Sequence, residues 1–191
     1  MKRINAMILL VLLAAGSAFA QTWSADKAHS NIGFNATHMV VAETYGEFKD
    51  YEITVTSKSE DFNGAEVSFV AKTASINTQN ERRDGHLKSD DFFSAEKFPE
   101  LKFTGVLVKE GGKYKLNGDL TIRDVTKKVS FDVVYKGTVA AFGGQKAGFK
   151  LTGAIDRFEY GLKFDRTIES GGLVVGKEVA IVCNVEINKN K

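Results

Sequence analysis

Apolar residues recur at every second position along most of this chain, and that period limits the fold more than any other feature. Successive side chains of a strand point to opposite faces, so strict alternation describes strands with one buried face. Ile32 and Phe34 mark one run, and Tyr51, Ile53 and Val55 the next. Val67, Phe69 and Ala71 follow, then Leu101, Phe103 and Leu107. Tyr114, Leu116, Leu120 and Ile122 make a fifth, and Val129, Phe131, Val133 and Tyr135 a sixth. Phe149, Leu151 and Ile155 precede the last, which runs Val179, Ile181, Cys183, Val185 and Ile187. Glu110-Gly111-Gly112-Lys113 and Phe142-Gly143-Gly144 carry the glycines of tight hairpin turns. With no linker, low-complexity tract or repeat, the pattern predicts one antiparallel system of eight strands.

The intervening residues tell which face is wet. Between the apolar positions of the sixth run stand Lys128, Ser130, Asp132 and Lys136, and the last run alternates with Glu178, Asn184 and Glu186. A barrel that turned its apolar set to lipid would keep charge off that face, where each costs about 2–4 kcal/mol at mid-bilayer. Here the turns are short, aromatic girdles are not evident and the tail Asn188-Lys189-Asn190-Lys191 is polar. The apolar face is therefore expected inside a water-facing barrel or sandwich, with no strand or helix spanning a membrane.

The first twenty residues have the form of a signal peptide. Lys2 and Arg3 precede the apolar run Met7 to Leu13, and Ala18-Phe19-Ala20 supplies small residues for cleavage near Ala20. The expected product is one exported domain, residues 21–191, in the periplasm or outside the cell. Loss of Lys2 and Arg3 from the 26 basic residues leaves 24 against 24 acidic. Such a balance lacks the basic patch of a nucleic-acid binder. The single Cys183 makes no internal disulfide and reads as a small buried hydrophobe.

Gly105, Gly118, Gly137 and Gly153 fall inside runs, on the same alternating face as the apolar residues. Inward glycines leave room where side chains would otherwise meet, or else serve as corners for barrel closure. An eight-stranded barrel is just wide enough to hold a ligand, so the first alternative predicts a hollow core lined by glycine.

The alternation breaks at "NTQNERRDGHLKSDDFF", Asn77 to Phe93. Thr78 and Glu81 have capping-box spacing, which predicts a short helix from Thr78 to Ser89. Arg83, His86 and Leu87 would share a face, Asp84 and Lys88 would pair on the solvent side, and Ser89 would cap a second turn carrying Phe92 and Phe93. Pro99 closes the excursion. A helical insertion between two barrel strands suits a lid over one end.

At this point a resemblance becomes specific. Trp23-Ser24-Ala25-Asp26-Lys27-Ala28-His29-Ser30-Asn31-Ile32-Gly33-Phe34, with His38-Met39, resembles the opening motif of the YceI family. Asn80-Glu81-Arg82-Arg83-Asp84-Gly85-His86-Leu87-Lys88-Ser89, with Phe92-Phe93 and Phe98-Pro99, resembles its central motif. Gly118-Asp119-Leu120-Thr121-Ile122, Val125-Thr126-Lys127 and Ala147-Gly148-Phe149 extend the match, while Arg157 to Lys177 follows it loosely. The resemblance implies bacterial periplasmic or secreted proteins with an all-β, eight-stranded lipocalin-like barrel that binds isoprenoid or other long-chain amphiphiles.

Other chemistry finds little support. His29, His38 and His86 lack close metal spacing and no C-x-x-C occurs, so no metal is expected. A G-x-S-x-G elbow and a phosphate-cradling glycine loop are both missing. The expectation is a non-catalytic carrier or reservoir with no cofactor beyond its ligand, an isoprenoid lipid or quinone. Its tail would lie along Phe34, Phe103, Leu116, Leu120, Phe131, Phe149 and Ile181, with Phe92 in the lid. Arg83 or His86 would meet the polar head, or serve only as local structure. A fatty acid or fatty amide as cargo, an enzyme acting through His86 and Arg83, and a homodimer stay open.

Overall fold

The computed structural model describes residues 20–191; apart from Ala20, the expected signal peptide lies outside the described residues. Among them are β1 (Gln21–Ala25), β2 (Asn31–His38), β3 (Ala42–Phe48), β4 (Tyr51–Ser57), β5 (Ala65–Lys72) and β6 (Ile76–Asn77). α1 (Glu81–Lys88) follows, then β7 (Glu100–Glu110), β8 (Lys113–Ile122), β9 (Val125–Ala141), β10 (Gly144–Asp156) and β11 (Val175–Lys189). All pairings are antiparallel, in the order β1-β4-β5-β7-β8-β9-β10-β11-β2-β3-β6, and β1 also pairs with β11. That last pairing closes the sheet into a barrel and removes its free edges.

The eleven strands are eight staves, three of them broken. β1 and β2 lie end to end along one edge of β11, where Ala25 faces Ile187 and Asn31 faces Asn184. β4 and β3 pair beside them, then β5 and β6. The breaks fall side by side: Tyr51 donates its hydroxyl to the Ser30 carbonyl, and the Lys49 and Lys72 amides donate to Ser75 and Asp50. They form a corner that bends three staves together. The eight-strand count expected from alternation thus holds, one run per stave. What alternation missed are the halves β1, β3 and β6. In β3 the inward positions are Thr44, Gly46 and Phe48, a series with a single large apolar residue.

Both glycine turns form as expected, with left-handed backbone at Gly111 and Gly112 and at Phe142 and Gly143. The outer face carries charge at mid-strand: Lys115 and Lys128 of the β8–β9 ladder sit opposite Asp132 and Asp119 and pair with them. No helix among the described residues is long and apolar enough to cross a membrane.

Lys146 of β10 fastens the closing seam. Its Nζ donates to Asp26 Oδ2 at 2.9 Å, Glu186 Oε1 at 2.7 Å and Asn188 Oδ1 at 2.8 Å. His29 Nδ1 lies 3.2 Å from Asp26 Oδ2, the partner expected for it. Asp26, His29 and Glu186 are grouped closely enough to hold a metal ion. The Lys146 ammonium already supplies positive charge to both carboxylates there.

The lower end, where β4–β5, β7–β8 and β9–β10 connect, is plugged by aromatic rings. Phe62, in the β4–β5 loop, is 1% exposed. Its ring meets Trp23, Tyr135 and Phe149 at centroid distances of 5.1, 5.5 and 5.1 Å. Its backbone is left-handed, with φ of 61°, a costly conformation for a bulky residue. The Tyr114 hydroxyl donates to the Asp61 carbonyl at 2.7 Å and holds the loop down.

Two stability predictions follow from this frame. Phe62→Ala empties the plug and should lower unfolding free energy by about 3–5 kcal/mol in urea titrations. The Lys146 ammonium, then His29, holds the Asp26 carboxyl below its ordinary pKa, so the folded state binds fewer protons there than the unfolded chain. The stabilisation is present above about pH 4 and fades as pH falls further. Melting curves of Lys146→Met should show lower stability at pH 7 and a shallower loss between about pH 4 and pH 2 than wild type.

Candidate functional site

The inward faces of the staves do not meet at the axis. They enclose a cavity of about 240 Å³, just below the usual range for small-molecule sites. Among its lining side chains only Arg157 is charged, and the rest are apolar. Water gains few hydrogen bonds in such a space, whereas an apolar chain gains contacts along its length.

The cavity exists because of where the phenylalanine rings lie. A Cβ on Gly46 would stand 2.2 Å from Phe34 Cζ, and one on Gly153 2.6 Å from Phe131 Cδ1. Gly105 and Gly118 face each other across the β7–β8 ladder, and a Cβ on either would stand 2.6 Å from Phe103 Cζ. Each ring lies flat on the wall over a glycine instead of projecting to the axis. This corrects the expectation that the glycines leave empty space: Gly105, Gly118 and Gly153 make room for rings, and the rings then leave the axis free. Gly137 differs again. Its φ is 111°, with nothing within 4 Å of a Cβ. It pairs with Gly148 beside a register shift that seats Tyr135 opposite Phe149 and leaves Lys136 bulged.

Two segments cover the upper end. The first is the excursion between β6 and β7. α1 begins at Asn80, whose side chain accepts from the Arg83 amide, so Asn80 and not Thr78 is the cap. Thr78 is occupied otherwise: its hydroxyl donates to Asp84 Oδ1 at 2.5 Å and accepts from Arg83 Nε at 2.7 Å. Arg83 Nη2 also donates to the Thr78 carbonyl at 2.8 Å. Asp84 therefore ties the helix to its own lead-in rather than pairing with Lys88. Ser89 donates its hydroxyl to the His86 carbonyl and ends the helix, and a turn then brings Phe92 and Phe93 inward. No helical residue is fully buried; the lumen receives Leu87 from α1, then Phe92 and Phe93.

The second cover is the segment between β10 and β11. Phe164 meets Phe92 and His86 at 5.1 Å each, and His86 meets Phe92 edge-on at 5.1 Å. His86 Nε2 also lies 2.8 Å from Asp91 Oδ2. Arg123, in the β8–β9 turn, donates through Nη1 to the carbonyls of Gly161 and Phe92 at 2.7 and 3.3 Å, joining the two covers.

Of the expected site residues, Phe34, Phe92, Phe103, Leu116, Leu120, Phe131, Phe149 and Ile181 all line the cavity. Arg83 and His86 do not. They line a shallow depression with Asn80 and Arg82 on the outer side of α1, and both are exposed. Arg157 went unnoticed, although it continues the series Phe149, Leu151, Gly153, Ile155 at the next inward position. It is 3% exposed, and burial pulls its pKa below the ordinary arginine value. Cys183 faces the lumen, where burial pushes its thiol up to about 11.

Comparison with known proteins agrees with this geometry. The family model described as YceI-like domain matches residues 23–187. A UPF0312 protein of Staphylococcus aureus USA300 is 36% identical over 165 residues, spanning 85% of this chain and 95% of that protein. The crystal structure of a Campylobacter jejuni YceI protein is similar, with a TM-score of 0.68 and 34% identity over 87% of this chain and 96% of that one. A polyisoprenoid binding domain from Saccharophagus degradans shares the fold at 14% identity, with a TM-score of 0.66 over 88% of this chain and 98% of that one.

The two kinds of glycine should respond differently to substitution. Gly153→Val pushes the Phe131 ring toward the axis, so lipid protection of the melting temperature should shrink while the unliganded melt moves little. Gly137→Val forces a β-branched residue into a left-handed bulge and should lower the melt itself. Thermal melts with and without added prenyl lipid separate the two effects.

Proposed function

This chain belongs to the YceI-like family, and from that footing we propose that it binds a lipid in its lumen as a non-catalytic carrier or reservoir. The observation that carries the reading is a closed barrel whose cavity has apolar walls, with one charge near its covered end. Each buried methylene contributes about 0.8 kcal/mol, so a long chain needs few polar contacts to be held. The cargo we favour is an isoprenoid, as a quinone or another prenyl amphiphile. The similarity to a polyisoprenoid binding domain supports that choice, and a narrow lumen walled by flat rings suits a branched, unsaturated chain. The leader-like sequence supports action in the periplasm or outside the cell.

The catalytic alternative through His86 and Arg83 is disfavoured by their placement. Both point away from the lumen and are held by Asp91 and Thr78, so a lipid inside the barrel would not meet them. His86→Ala should accordingly leave the bound lipid chemically unchanged.

Organic extracts of protein purified from its native envelope, analysed by mass spectrometry, should contain a prenyl lipid in near-stoichiometric amount. Added short-chain quinone or polyprenol should raise the melting temperature. Absence of any co-purifying or added lipid on the protein would end the reading, and a strong preference for acyl over prenyl chains in competition would replace the cargo.

A further inference from the structure

We infer that the lumen selects a lipid whose head carries an anionic oxygen, phosphate or carboxylate, and that Arg157 receives it. The inference rests on the lipid-binding reading and adds the chemistry of the head and its place in the barrel.

Arg157 begins the 3-10 turn Arg157–Tyr160 that leads from β10 into the upper cover. It is the only charged group among the residues lining the cavity. Its guanidinium is held by backbone carbonyls: Nε donates to Gly176 at 2.9 Å, Nη1 to Leu162 at 2.6 Å, and Nη2 to Phe164 at 2.6 Å and Val175 at 2.8 Å. It also lies over the rings of Phe158 and Phe92, at 4.3 and 5.9 Å. Carbonyls and rings orient a cation, but none carries a net negative charge.

The two acids whose fields reach Arg157 are Asp156 and Asp165, and neither forms an ion pair with it among the described residues. Asp156 is 3.7 Å from Lys177 and accepts from the Phe158 amide, and Asp165 is exposed. A buried charge without a counter-charge is costly. An arginine needed only to fasten the covering segment could be matched by a carboxylate packed beside it, yet this one faces a cavity instead.

A guanidinium has five N–H donors. Four are used, which leaves one on Nη1. A single oxygen suffices to satisfy it, and an anionic one also supplies the missing charge. A quinone carbonyl satisfies the donor alone, and an alcohol does so less well. The tail would then run down the axis toward the Phe62 plug, with the head beneath Phe92.

The test compares heads on one chain, below the concentration at which the amphiphiles aggregate. Displacement of a fluorescent lipid by geranylgeranyl phosphate, geranylgeraniol and a quinone of similar chain length gives the head order. Palmitate against hexadecanol repeats it on an acyl chain and tells which source of anion the lumen accepts. The phosphate should bind at least about tenfold more tightly than the alcohol, the scale of one charge-assisted hydrogen bond. In Arg157→Met that ratio should fall to about one, with alcohol affinity kept. If this variant does not fold, Arg157→Lys, which keeps the charge, should retain a reduced preference. Equal binding of phosphate and alcohol by wild type overturns the head assignment and leaves lipid binding standing, as does a preference that survives in folded Arg157→Met. Failure of every chain to bind overturns both.

Discussion

Closing eight strands around a wholly apolar interior confronts the chain with a choice between filling the axis and leaving it empty. The staves supply enough large side chains to fill it. Phe34, Phe103 and Phe131 instead lie over Gly46, Gly105 with Gly118, and Gly153. Glycine in a strand weakens it locally, and an aromatic ring over the gap recovers buried area. Stability and hollowness then come from the same arrangement. The ring is buried against the wall, and the space it does not occupy is the cavity.

The same logic places the polar groups. The outward alternate positions carry the cross-strand ion pairs, which are worth little singly but keep one face wet. The seam is fastened by Lys146, which joins β10 to β11 and to the break after β1. Arg157 is the exception, because it follows the inward parity of β10 into the covering segment. Its backbone partners all come from the chain that closes the upper end and from the start of β11. Order in that segment and the charge at the cavity are thus one feature.

Most of the architecture was legible because period-two alternation survives in each stave. Legibility failed where a partner on another strand does the packing. β3 has no alternation to read because the Phe34 ring occupies the place a β3 side chain would take. The inward glycines were found by parity, yet one sequence position cannot say whether a ring will fill the gap, so wall and hole were confused. The helix was placed correctly, but Thr78 and Asn80 are both competent caps, and only the bond from Thr78 to Asp84 decides between them. Arg83 and His86 drew attention as charged residues in an apolar chain. Arg157 has the same character and was passed over because its run of alternation was read as ending at Ile155.

The two ends of the barrel are closed by different physics, and this decides where a chain-like guest can pass. Below, Phe62 is held in an unfavourable backbone conformation by four aromatic neighbours and strand-linked bonds: Gly64 donates to the Leu107 carbonyl, and Tyr114 holds Asp61. Withdrawing it breaks the aromatic core on which β1, β9 and β10 converge. Above, the covers meet through Phe92, His86 and Phe164 and through the two bonds from Arg123. Separating those contacts leaves every rung of the eight-stave ladder intact. Opening therefore costs less at the upper end, and a guest that enters there tail first brings its head to rest beside Arg157.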